Sequence, residues 1–250
     1  MKKATAVAQA VRAADRLAAN KDQLKKPADA ALAGSAQNHS ATRKLVILAL
    51  LSALGFVSAL VIRIPVISFL KYEPKDIFIT FAGFLYGPLA AGACAIVTSV
   101  LELPFGSTGL VGMLMNILSS AAFACTASLI YKKRRDIYGA AIGMVCAVAA
   151  MTVSMLLWNY LISPLYMGVT REQIVPMLTS MFLPFNLLKA GINAAITLVL
   201  YRPFLRVLQL CGYPVGEHLN DKKSSVLLMA ATAVVLLGAC IAVVILMNRG

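Results

Sequence analysis

From residue 43 onward the chain is a succession of apolar runs of roughly 15 to 25 residues, broken by short polar segments, and this leaves few folds open to it. Hydrocarbon offers no water to unpaired backbone groups, so runs of this length fold as membrane-spanning helices that satisfy their own N–H and C=O groups. Hydrophobic residues make up 60% of the 250, and the mean hydropathy is +0.82, outside the range of soluble globular domains. The chain reads as an all-α polytopic membrane protein.

The first span is expected at 43–62. Two short runs follow, 77–86 and 89–101, separated by Gly87 and Pro88. Each is too short to cross a core of about 30 Å upright, so they read as a tightly turned pair packed inside the bundle. A Pro/Gly/Ser loop at 104–109 leads to a span at 110–131, closed by Lys132, Lys133, Arg134 and Arg135. Further spans are expected at 139–162, 184–201 and 224–247, with a loop at 163–183 containing Pro164, Gly168 and Pro176. The organisation is a basic tail (1–43), a six-helix membrane domain (44–206), a polar connector (207–223) and one additional C-terminal span (224–250).

Charge orients the chain. With the N-terminus in the cytoplasm, inner segments hold 17 of the 23 Lys and Arg residues, as the positive-inside rule requires. The net charge of +13 invites a nucleic-acid reading, but the basic residues cluster at the ends of apolar runs and form no basic face with interleaved aromatics. No nucleic-acid partner is expected; the partner is the lipid bilayer. In this orientation the long Pro/Gly-rich loops at 63–76, 102–110 and 163–183 share the outer face, which suggests an outward-facing site capped by loops.

Catalytic apparatus is missing. There is no HExxH, no GxSxG, no GxxxxGK[ST] phosphate loop and no pair of glutamates within a span, so no catalytic residue is assigned. The five cysteines form no CxxC pair, and His39 and His218 both lie outside the spans, so neither a metal nor a cofactor is expected.

What remains is a short list of polar residues within apolar helices. Lys189 lies between Asn186 and Asn193, and at about 100° per residue the three form one stripe spanning about 60°. A cation in hydrocarbon costs about 3 kcal/mol or more, so Lys189 should face the protein interior and meet a partner. Asn116, Trp158 and Asn159 lie at depths from which they can converge on the same region. Amides supply donors and acceptors and lysine supplies donors, a set suited to a neutral heteroaromatic ring packed on Trp158, Phe69, Tyr72 and Phe185. Other roles stay open: helix–helix bonding for Asn116 and Asn193, an interfacial anchor for Trp158, and an ion pair with Glu102 or Asp76, or outward snorkelling, for Lys189. Glu102 itself reads as an interface residue. A dianionic ligand would call for more cations and a cationic one for carboxylates near the site; neither set is evident. On the first span Ala49 and Ala53 form a small-xxx-small motif that allows close helix approach.

Several segments together resemble a known family. They are FLKYEPKDIFITFAGFLYGP (69–88), GMLMNILSSAAFA (112–124), WN (158–159), PLYMG (164–168) and PFNLLKAGIN (184–193). They are similar to substrate-binding S components of energy-coupling factor (ECF) transporters, and most similar to the riboflavin-specific branch. The resemblance covers residues 44–206 and implies a six-helix S-component bundle, with 224–247 as an additional helix. It implies a high-affinity riboflavin-binding subunit in a prokaryotic cell membrane, working with a transmembrane coupling subunit and two cytoplasmic ATPases. Asn159, Asn186 and Lys189 match positions that hydrogen-bond the flavin ring. Phe69, Leu70, Lys71 and Tyr72 match the loop covering it, and Ala49 and Ala53 match the docking surface for the coupling subunit. The alternatives are an S component for another vitamin or precursor, such as pantothenate, or a purely structural membrane subunit, which leaves Lys189 without purpose.

Overall fold

The computed structural model describes residues 41–67, 70–106, 109–213 and 223–248. The chain divides into two compact units, Met1–Ile47 and Leu48–Gly250. Of the first unit only 41–47 are described, so residues 1–40 of the expected tail lie outside the described residues. The packing that follows is that of the second unit.

Eight helices are present among the described residues. Helix α1 (Ala41–Val61) leads into a hairpin of β1 (Ile64–Ile67) and β2 (Leu70–Tyr72). Then come α2 (Lys75–Tyr86), α3 (Pro88–Glu102) with a 3₁₀ turn (Leu103–Phe105), α4 (Gly109–Lys133) and α5 (Ile137–Met167). Helix α6 (Arg171–Met177) joins α7 (Leu183–Leu210) through a π-helical turn (Leu178–Phe182), and α8 (Lys223–Asn248) closes the chain. Five stretches among the described residues are long and apolar enough to cross a membrane: α1, Pro88–Phe105, α4, α5 and the continuous Arg171–Leu210.

Small residues set the helix spacing. Ala127, Ala140, Ala147, Ala190 and Ala194 are fully buried where α4, α5 and α7 meet. A Cβ added at Gly143 would lie 3.0 Å from the Ala127 carbonyl oxygen, so α4 and α5 approach as closely as their backbones permit. Large apolar side chains instead face outward, among them Val97, Leu129, Ile142, Val153, Leu157 and Val199. That inversion suits a bundle immersed in lipid. The α2–α3 joint needs Gly87, whose φ of 91° is left-handed, and Pro88 opens α3 where a missing N–H costs nothing.

The structure departs from the sequence reading in several places. The 63–76 loop contains an antiparallel ribbon, with Ile64 opposite Tyr72 and Pro65 opposite Lys71. The 163–183 segment is mostly helical. Helix α5 runs through Pro164 to a stop at Gly168 (φ 66°), a Thr170/Gln173 capping box opens α6, and the π turn carries the chain past Pro176 into α7. Within that bend the Thr179 and Ser180 hydroxyls donate to the Pro176 carbonyl at 3.1 and 2.8 Å. Helix α7 also continues through Pro203 to Leu210. Each proline reads as a breaker in isolation, but a membrane bundle tolerates proline within its helices, and at Pro176 the π turn and the two hydroxyls accompany it. Last, α3 with its 3₁₀ turn is longer than the expected run and reaches spanning length.

Candidate ligand-binding site

Lys189 lies in the second turn of α7 and is only 6% exposed. It lines a cavity of about 120 Å³ enclosed by the β2 ribbon, the end of α3, the first turns of α4, and α7. Among the described residues no hydrogen bond or ion pair reaches its ammonium. Both carboxylates expected as alternative partners are engaged elsewhere. Asp76 is completely buried and accepts from Ser120 Oγ at 2.5 Å and Asn193 Nδ2 at 3.0 Å. Glu102 accepts through Oε2 from Lys75 Nζ and from Asn116 Nδ2, the latter at 3.1 Å.

Lys75 is therefore not the loop lysine of the sequence reading. It opens α2 fully buried, bonded to Glu102 and 3.5 Å from Glu73, which in turn pairs with Arg63 at 3.1 Å. Arg63 also donates to the Phe105 carbonyl at 3.0 Å and so ties the ribbon to the end of α3. Glu102 is likewise no interface residue: it is 4% exposed and lines the cavity together with Glu73. Carboxylates thus stand at the site after all, each matched by a cation from the ribbon or α2.

Of the residues expected at the site, Leu70, Lys71, Asn116, Phe185 and Lys189 line the cavity. Leu70, Phe182 and Phe185 are buried against one another with Met115 alongside, and Leu70, Phe185 and Met115 give the cavity apolar lining. Phe69 lies outside the described residues. Tyr72 is not among the lining residues; its hydroxyl donates to Asn193 Oδ1 at 2.9 Å. Burial, reinforced by the Asp76 charge, holds that phenol well above its ordinary pKa, so it remains a neutral donor.

Asn159, Asn186 and Trp158 are not among the lining residues either. Asn186 Nδ2 donates to the Phe182 carbonyl at 2.7 Å, and Asn159 Nδ2 to that of Met155 at 2.8 Å. Asn159 Oδ1 accepts from Ser163 Oγ at 2.9 Å, and Ser163 lies 3.1 Å from Tyr166 Oη; Tyr166 lines the cavity. Asn159 is thus linked to the cavity through two hydrogen bonds. The Trp158 indole N–H is buried with no partner among the described residues.

Sequence reasoning missed Ser99 and, except as an ion-pair partner for Lys189 or an interface residue, Glu102; it also missed Glu73, Arg63 and Tyr166. The signal for the first two was available: Ser99 and Glu102 are three apart on an apolar helix, the spacing that singles out Asn186 and Lys189.

A helical membrane bundle with a cavity lined by buried, partly unpaired polar groups at one end is a membrane-embedded ligand-binding protein. The family model described as "ECF transporter, substrate-specific component" matches residues 43–201. The chain belongs to that family. It is 28% identical over 173 residues to "Riboflavin transporter RibU" of Staphylococcus aureus (strain TCH60), covering 66% of this chain and 92% of that protein. It is likewise 28% identical over 178 residues to "Riboflavin transporter FmnP" of Bacillus subtilis (strain 168), again covering 66% and 92%. A solved structure reported as "Structure and mechanism of the S component of a bacterial ECF transporter" superposes with a TM-score of 0.59 at 28% identity, over 67% of this chain and 98% of that one.

Proposed function

We propose that this chain is the riboflavin-binding S component of an ECF-type importer in a prokaryotic cell membrane. It binds and carries the vitamin, while ATP hydrolysis belongs to two cytoplasmic ATPases joined through a transmembrane coupling subunit. One observation carries the reading: a buried lysine lines a cavity, and among the described residues no hydrogen bond or ion pair reaches its ammonium, Asp76 and Glu102 being bonded to other groups. Left alone, such a cation is costly, and a ligand carbonyl or ring nitrogen offsets that cost. A flavin ring offers such acceptors along one edge and an apolar face for Leu70, Phe185 and Met115. The names of the two relatives point to the same ligand.

The cavity involves the first turns of α4, as far as Asn116, whereas Lys132 to Arg135 mark its far end, about 24 Å along the axis from Asn116 at 1.5 Å per residue. With the basic end in the cytoplasm the cavity opens outward, the side from which a nutrient is captured. On α1, Ser52 and Gly55 are buried while Ala49 and Ala53 are exposed, leaving a low surface for a helix of the coupling subunit.

Purification in detergent tests the reading directly. A riboflavin-loaded preparation is yellow and releases a fluorescent ligand on denaturation, and a stripped one quenches added riboflavin. A colourless preparation that leaves riboflavin fluorescence unchanged overturns the assignment.

A further inference from the structure

The wall of the cavity formed by α3 carries two groups that the network above does not use. Glu102 employs one carboxylate oxygen for Lys75 and Asn116; the other, Oε1, is buried and has no partner among the described residues. Ser99, one turn earlier and 1% exposed, has a hydroxyl in the same condition. Both residues line the cavity. Residues three apart on a helix share a face, so the two oxygens form a polar strip one turn long.

The chemistry of that strip is restrictive. Glu102 Oε1 only accepts, and the Ser99 hydroxyl both donates and accepts. A cationic ligand is not called for, because Lys75 already balances the Glu102 charge and Arg63 balances Glu73. A phosphate would meet a carboxylate. A neutral hydroxyl suits both groups, since it donates to Glu102 and exchanges donor and acceptor roles with Ser99. The apolar surface for a ring lies elsewhere in the cavity, on Leu70, Phe185 and Met115.

We propose that Ser99 and Glu102 read the ligand's sugar-alcohol chain, accepting hydrogen bonds from its neighbouring hydroxyls and selecting a flavin with such a chain over the bare ring. This rests on the flavin reading of the site. Ser99 is the cleaner probe, because its side chain holds nothing else in place, whereas Glu102 also anchors Lys75.

The test compares riboflavin with lumiflavin, which has a methyl group in place of the polyol, on the full chain in detergent by flavin fluorescence quenching. The wild-type protein is expected to bind riboflavin at least tenfold more tightly. Ser99→Ala should weaken riboflavin about fivefold, the loss of one neutral hydrogen bond, and leave lumiflavin within twofold. Glu102→Gln, compared at matched thermal stability, should likewise weaken riboflavin more than lumiflavin. Equal affinity of the wild type for both ligands, or Ser99→Ala losses that are equal or absent for both, overturns the proposal and leaves the flavin reading intact. Failure of the wild type to bind either ligand overturns the flavin reading, and this proposal with it.

Discussion

Tyr72 and Asn193 lie 121 residues apart and are joined by a hydrogen bond of 2.9 Å from the phenol to the amide oxygen. The amide nitrogen of Asn193 donates in turn to Asp76 at 3.0 Å. One side chain on α7, a turn from Lys189, therefore holds both the ribbon and the start of α2. Asn193→Leu strands the Tyr72 hydroxyl and an Asp76 oxygen in the interior at about 1–3 kcal/mol for each group. The expected outcome is a fall in melting temperature in detergent, larger than for Tyr72→Phe, which strands only the Asn193 oxygen.

Lys189→Met keeps the length and most of the volume of the side chain while removing its charge. Hydrogen bonds to charged groups contribute about 1.5–3 kcal/mol, so riboflavin affinity should fall roughly 10- to 100-fold. The melting temperature of the unliganded protein should hold or rise, since an unpaired buried cation is removed. Unchanged affinity in quenching titrations makes the lysine a structural residue.

Lys75 and Glu102 form a buried pair, so the loss of one partner is worse than the loss of both. Lys75→Met alone should cost about 3–5 kcal/mol by leaving the carboxylate unmatched. The double variant Lys75→Met with Glu102→Gln should recover most of that loss in thermal denaturation. Additive losses would argue against direct coupling.

Helix α8 rests on Gly191. A Cβ at this position would lie 2.5 Å from Cys240 Sγ, and Cys240 is itself buried. Gly191→Val should push α8 away from α7 and speed labelling of Cys240 by a membrane-permeant maleimide. The same labelling rate in both proteins would mean that α7 and α8 do not hold this contact.

Asp136 caps α5 by accepting from the Gly139 N–H at 2.8 Å and pairs with Arg134 at 2.7 Å. Partial burial pulls its pKa up, but the bonds from Arg134 and the Gly139 amide prevail and hold it below the ordinary value. A folded-state pKa beneath the unfolded one gives stability that is present above the unfolded pKa and is lost as pH falls through the folded one. Asp136→Asn should therefore lower stability at neutral pH and match the wild type in strong acid. Asp136→Ala should cost about 1 kcal/mol for the lost cap.

Local chemistry made much of this protein legible. Run length and hydropathy mark the spanning helices other than α3, because a backbone in hydrocarbon must bond to itself. Helical periodicity puts Asn186, Lys189 and Asn193 on one buried stripe, and the structure finds all three buried. The three residues then serve different partners: Asn186 its own helix, Lys189 the cavity, Asn193 the ribbon and α2. Periodicity specifies the face a residue occupies and nothing about what lies opposite.

That opposite side was decided by tertiary packing alone. Prolines 164, 176 and 203 read as breaks, yet the chain stays helical through them. Lys75 reads as a loop residue and Glu102 as a span end, and packing α2 against α3 and α4 makes them a buried pair beside the cavity. In a membrane bundle the partner of a buried polar group comes from whichever helix is adjacent in space. Sequence therefore determined that the chain spans a membrane and that Lys189 turns inward; the tertiary structure decided that Glu102 and Asp76 are engaged elsewhere and that the lysine faces a cavity.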